Sequence, residues 1–140
     1  MSGKVFLDTN IFVYSFDATA PKKAKRAVQL IRQAIQTGNG ITSYLVVQEF
    51  FNVALRRFVL PMMIADAEQY TATTFRPLLA VHSSLGRYGE ALRIATRFKL
   101  SWYDALIVAS AIEGECDVLF SEDLQNAQRF GSLQVTNPFL

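Results

Sequence analysis

The chain has 140 residues, 51% hydrophobic and 19% charged, with 11 Phe and 5 Tyr as bulky core fillers; that excludes a disordered chain and suits one domain over residues 1–140. A net charge of +2 does not by itself mark a nucleic-acid binder, although Lys22, Lys23, Lys25 and Arg26, and again Arg93, Arg97 and Lys99, form local basic groups. One cysteine, Cys116, excludes an internal disulfide, no apolar run has the length of a membrane span, and Asp8 and Asn10 interrupt the apolar N-terminal stretch, so a soluble, cytoplasmic protein is expected.

Lys4 to Asp8 reads as a short buried strand that changes character at Asp8-Thr9-Asn10. Pro21 opens a long helix closed by Gly38, the usual punctuation of a helix start and stop. Gly40-Ile41-Thr42 is a second short strand, and Ser43 caps a helix expected to run to about Phe58. Met62 to Phe75 reads as helix and Pro77 to Val81 as a third strand. Helices follow from about Leu85 to Arg97 and from Ser101 to Ile112. Asp117 to Phe120 is a fourth strand, a short helix is expected after Asp123, and Leu133 to Thr136 is a fifth strand.

Strands alternating with helices call for an α/β fold: a three-layer α/β/α sandwich around a mostly parallel five-stranded sheet. Right-handed crossovers lay strands one, two and three toward one edge. The fourth then falls on the other side of the first, and the switch point between them is where open sheets of this kind bind ligands. Asp8 ends strand one, and Ser121 and Asp123 follow strand four, so the topology alone brings them together.

Four acids sit in strongly apolar words, where a charge is costly unless something pairs with it: Asp8, Glu49, Asp104 and Asp123. Each has an ordinary structural reading as well. Asp8 suits a strand-end turn, and Glu49 a helix surface. Ser101-x-x-Asp104 is a capping-box pattern, and Asp123 suits a helix cap, with Glu122 beside it able to take the same role. Crowded together, such acids demand a counter-charge, and their oxygen donors suit Mg²⁺ or Mn²⁺; no His or Cys pattern for zinc is present, and His82 is read as structural or surface.

Asp8-Thr9-Asn10, Glu49 on the helix after Ser43, Ser101-x-x-Asp104-Ala105-Leu106-Ile107 and Phe120-Ser121-Glu122-Asp123-Leu124, in that order, resemble the PIN domain. The group most alike is the small single-domain PIN proteins that include VapC-type toxins. The resemblance implies a metal-dependent ribonuclease with Asp8, Glu49, Asp104 and Asp123 as the acidic catalytic and metal-binding site, supported by the polar residues Thr9, Asn10 and Ser121. It further implies an RNA substrate, a small antitoxin partner and a homodimer. The apolar helix Leu45 to Leu55 and the Met62-Met63 region suit partner surfaces or core equally. A phosphatase or phospho-accepting receiver with Asp8 as nucleophile is disfavoured, because Asn10 stands where a phosphatase would carry its second acid and no lysine follows a late strand. A docking module without catalysis is disfavoured because all four acids are present.

Overall fold

The computed structural model describes residues 3–140, so Met1 and Ser2 of the expected 1–140 domain lie outside it. Six strands form one sheet in the order β3-β2-β1-β4-β6-β5: β1 (Val5–Leu7), β2 (Gly40–Ser43), β3 (Leu79–Val81), β4 (Val118–Phe120), β5 (Arg129–Phe130) and β6 (Leu133–Thr136). All neighbours are parallel except β5 and β6. The sixth strand corrects the expectation of five. Two-residue β5 turns into β6 at Gly131, whose φ of 64° suits glycine, and so short a strand carries no alternation for a sequence to display.

The expected switch point is present. β1 lies between β2 (Phe6 opposite Ile41) and β4 (Phe6 opposite Leu119). Strand order runs outward from β1 to β3 and then reverses, so right-handed crossovers place α2 (Pro21–Thr37) and α3 (Tyr44–Ala54) on one face. The connection from β3 back to β4 places α6 (Leu85–Phe98) and α7 (Trp102–Glu113) on the other. α7 buries every residue from Ala105 to Ala111, and its alanines let it lie close to the sheet. α2 approaches β2 so tightly that a Cβ at Gly40 would stand 2.1 Å from the Ala34 Cβ.

Several elements depart from expectation for identifiable reasons. A six-residue helix, α1 (Thr9–Tyr14), follows β1 directly, capped by the Asp8 side chain; it is too short for its period to stand out. The helix expected to reach Phe58 stops at Ala54, whose carbonyl accepts from the Met62 amide as the chain doubles back. The segment expected to be helical from Met62 to Phe75 is α4 (Ile64–Tyr70) followed by a π-turn over Thr71–Phe75 and a single turn, α5 (Arg76–Leu78), so β3 begins at Leu79 and not at Pro77. Thr71 and Thr73 hydroxyls back-bond to the Ala67 and Gln69 carbonyls, and Pro77 withholds an amide; both widen a helix. No helix follows Asp123. There the Asn126 carboxamide accepts from the Asn137 amide and Ala127 takes a φ of 70°, so the segment is held as turns against β6.

An aromatic cluster joins the elements that carry the first two acids. Phe12 of α1 and Phe50 of α3 both pack on Phe75, at centroid distances of 4.9 and 5.4 Å, and Phe50 stacks on Tyr70 at 5.2 Å. Phe50 directly follows Glu49, so the cluster fixes where that carboxylate emerges. Of the expected apolar partner surfaces, Val46, Phe50 and Ala54 are core and Met63 stands in solvent, as do Val59 and Leu60, which lay outside that expectation. Among the described residues no helix is long and apolar enough to cross a membrane.

Candidate active site

Asp8 closes β1 and is buried. Its two oxygens have separate partners: Oδ1 accepts from the Thr9 amide at 2.7 Å and Oδ2 from the Ser121 hydroxyl at 2.8 Å. Ser121, also buried, directly follows β4, so this bond spans the switch point between β1 and β4. Burial pushes the Asp8 carboxyl up to about 7, the two hydrogen bonds oppose the rise, and the charges of Asp123 and Glu49 add to it.

The first turn of α1 aims two further acids. The Thr9 hydroxyl donates to Glu49 Oε1 at 2.9 Å, and the Asn10 Nδ2 donates to Asp123 Oδ2 at 3.1 Å. Ser121 is used twice, because its Oγ also accepts from the Asp123 amide at 3.2 Å. Glu49 is half-buried on α3, and its carboxyl is raised by that burial and then by the charges of Asp104 and Asp123. Asp104 stands in the first turn of α7. Its amide donates to the Ser101 hydroxyl at 3.3 Å, which is one half of a capping box. Among the described residues its carboxylate takes no hydrogen bond, which leaves it available to the site.

Glu122 goes elsewhere. Its Oε1 accepts from the Tyr14 hydroxyl at 2.5 Å and its Oε2 pairs with the Lys23 ammonium at 2.7 Å. Burial alone would raise this carboxyl, but the bonds from Lys23 and Tyr14 prevail and hold it below the usual range. Tyr14 carries no sequence signal for this role, and Lys23, part of the N-terminal basic group, has a partner 99 residues away that no local pattern displays. His82 is exposed with its ring against Tyr44 at 4.3 Å.

Asp8, Glu49, Asp104 and Asp123 thus arrive from four separate elements at the carboxyl edge of the sheet, where Asp8 feels the charges of Asp123 and Glu49, and Glu49 those of Asp104 and Asp123. None takes part in a salt bridge with a described residue. Among the described residues no three acidic, His or Cys side chains converge tightly enough to grip one ion directly. The donor chemistry still fits a hard dication. Every donor is an oxygen, the Asn10 Oδ1 is buried without a partner, and Mg²⁺ retains several waters while taking only one or two carboxylates directly.

The comparisons with known proteins bear on the fold and the family. Three solved structures share the fold over nearly their whole length. A toxin–antitoxin complex from Klebsiella pneumoniae is 18% identical, with a TM-score of 0.65 and coverage of 96% of this chain and 98% of that one. FitAB bound to an IR36 DNA fragment is 18% identical, with a TM-score of 0.69 and coverage of 97% and 96%. FitAcB from Neisseria gonorrhoeae is 16% identical, with a TM-score of 0.64 and coverage of 96% and 98%. At these identities the likeness is one of fold. No curated protein sequence matches significantly. The sequence pattern of the PIN domain matches residues 5–130, nearly the whole chain, and the protein therefore belongs to the PIN domain family.

Proposed function

We propose that this protein is a Mg²⁺- or Mn²⁺-dependent endoribonuclease, a hydrolase of RNA phosphodiester bonds, formed as one domain over residues 1–140 with Asp8, Glu49, Asp104 and Asp123 as its catalytic and metal-binding acids. The observation that carries the reading is the buried Asp8 carboxyl at the β1–β4 switch point, raised by the charges of Asp123 and Glu49 and in no ion pair with a described residue. Such a cluster is costly unless a bound cation compensates it. PIN domains are generally nucleases, which supports hydrolysis as the reaction.

The chain's own residues prepare the site. Ser121 and the Thr9 amide hold both Asp8 oxygens in fixed directions, the Thr9 hydroxyl orients Glu49, and Asn10 orients Asp123. The α7 N-terminus at Ser101 supports a phosphate electrostatically. Exposed Lys22 and Lys25, at the start of α2, suit backbone contacts that position RNA without reading it. A bound divalent ion supplies activation of water and compensation of charge developing on the phosphate.

Two of the neighbouring structures bear on a partner: one is described as a toxin–antitoxin complex and another as FitAB bound to DNA. By that analogy the chain is the toxin of a toxin–antitoxin pair in the cytoplasm, a homodimer masked by a small antitoxin. The exposed apolar residues Val59, Leu60 and Met63 suit such contacts.

The test is cleavage of total RNA by the purified protein with Mn²⁺, with sequencing of the new ends. Asp8→Asn and Asp104→Asn should each abolish cleavage with the fold retained by circular dichroism. Full metal-dependent activity in both variants overturns the assignment. Absence of any Mn²⁺ uptake by calorimetry favours a docking module instead.

A further inference from the structure

A cleft of about 250 Å³ opens between the end of β2, the loop after β3 and the start of α7, lined by residues that adjoin two of the acids in sequence. Its wall includes Trp102 and Tyr103, which directly precede Asp104, and Gln48, which directly precedes Glu49. Tyr88 extends the aromatic surface, with its ring 6.0 Å from that of Trp102. Tyr103 is 58% exposed and Trp102 38%, so both residues are accessible.

The same cleft is lined by Arg87, whose side chain is only 6% exposed. One terminal nitrogen of Arg87 pairs with Glu113, but its Nε is buried and has no partner. A buried charged donor without an acceptor is costly. An apolar side chain from a protein partner would leave it unsatisfied, and a second carboxylate ligand would meet the repulsion of the acids next door. A neutral planar group with an acceptor on its edge satisfies both the rings and the guanidinium.

We propose that this cleft is a nucleobase subsite: one unstacked base of the RNA stacks against Trp102 and Tyr103 and accepts a hydrogen bond from Arg87 Nε. The inference rests on the nuclease reading above for its setting, and it adds where the substrate strand is held next to the acids. Its size suits a single base, since sites for whole drug-sized ligands run to roughly 300–1,000 Å³. Single-stranded RNA is recognised in this way, by bases splayed onto aromatic side chains and arginine planes.

Trp102 is the one tryptophan of the chain, so its fluorescence reports the cleft alone. The probes are adenosine, guanosine, cytidine and uridine, added to metal-free protein, with ribose as the control. At least one nucleoside should quench Trp102 emission saturably while ribose does not. Tyr103→Ala, at an exposed ring, should weaken that binding about tenfold, and Arg87→Met should weaken it too. If Arg87→Met does not fold, the nucleoside titrations and Tyr103→Ala still decide the matter. No saturable quenching by any nucleoside, or an unchanged affinity in Tyr103→Ala, overturns the subsite. Saturable quenching in a protein that cuts no RNA supports the subsite and overturns only the nuclease reading.

Discussion

The Ser121 hydroxyl donates to Asp8 Oδ2 at 2.8 Å, tying together two buried residues 113 positions apart in sequence. This one bond links the ends of β1 and β4, and the same hydroxyl also accepts from the Asp123 amide. Ser121→Ala leaves a buried carboxylate oxygen without its donor. The expected cost is about 1–3 kcal/mol of stability, read by urea unfolding. A loss below about 0.5 kcal/mol would show that the bond does not hold the two strand ends.

Asp8 also sets a pH dependence. Its carboxyl is raised from 3.8 in the unfolded chain to about 7 in the folded one. Between those values the unfolded state releases the proton while the folded state retains it. Stability of the metal-free protein therefore falls as pH rises from about 4 to about 7 and stays low above, by an amount on the order of a few kcal/mol. Asp8→Asn cannot ionise, so it should be the more stable protein at pH 8 while cutting no RNA. Thermal unfolding of both proteins in chelator from pH 5 to pH 8 checks the slope, and parallel curves would contradict it.

Neighbouring acids should separate cleanly. Glu122 is held by Lys23 and Tyr14, whereas Asp123 is aimed by Asn10. Glu122→Gln should keep cleavage within about threefold and lose at most about 1 kcal/mol of stability, because the ion pair is partly exposed. Asp123→Asn should lose at least about tenfold in activity, the scale of one lost charged interaction. The reverse ranking in initial cleavage rates would make Glu122 the fourth acid.

Close packing of α2 on β2 gives a test remote from the site. Gly40→Ala would place a Cβ 2.1 Å from Ala34 Cβ, so backbone must move. A loss of roughly 1–3 kcal/mol is expected, as for other overpacked cores. An unchanged urea midpoint would mean that the two elements part without strain.

What the amino-acid sequence determined by itself was local and topological. Pro21 and Gly38 bound α2, and the alternation of strands and helices sets β1 between β2 and β4. The same pattern marks Asp8, Glu49, Asp104 and Asp123 as charges in apolar surroundings, because the cost of burying a charge is written in its neighbours. Short elements were not legible: α1 and β5 span too few residues for a period, and the π-turn depends on threonine back-bonding and Pro77 acting together. Only the tertiary structure separated the partners of Glu122 and Asp123, since these adjacent side chains point apart, one to Lys23 and Tyr14 and the other to Asn10. It also decided that Arg87 is buried with an unpartnered Nε beside two aromatic rings, a relation between α6 and α7 that no local pattern encodes.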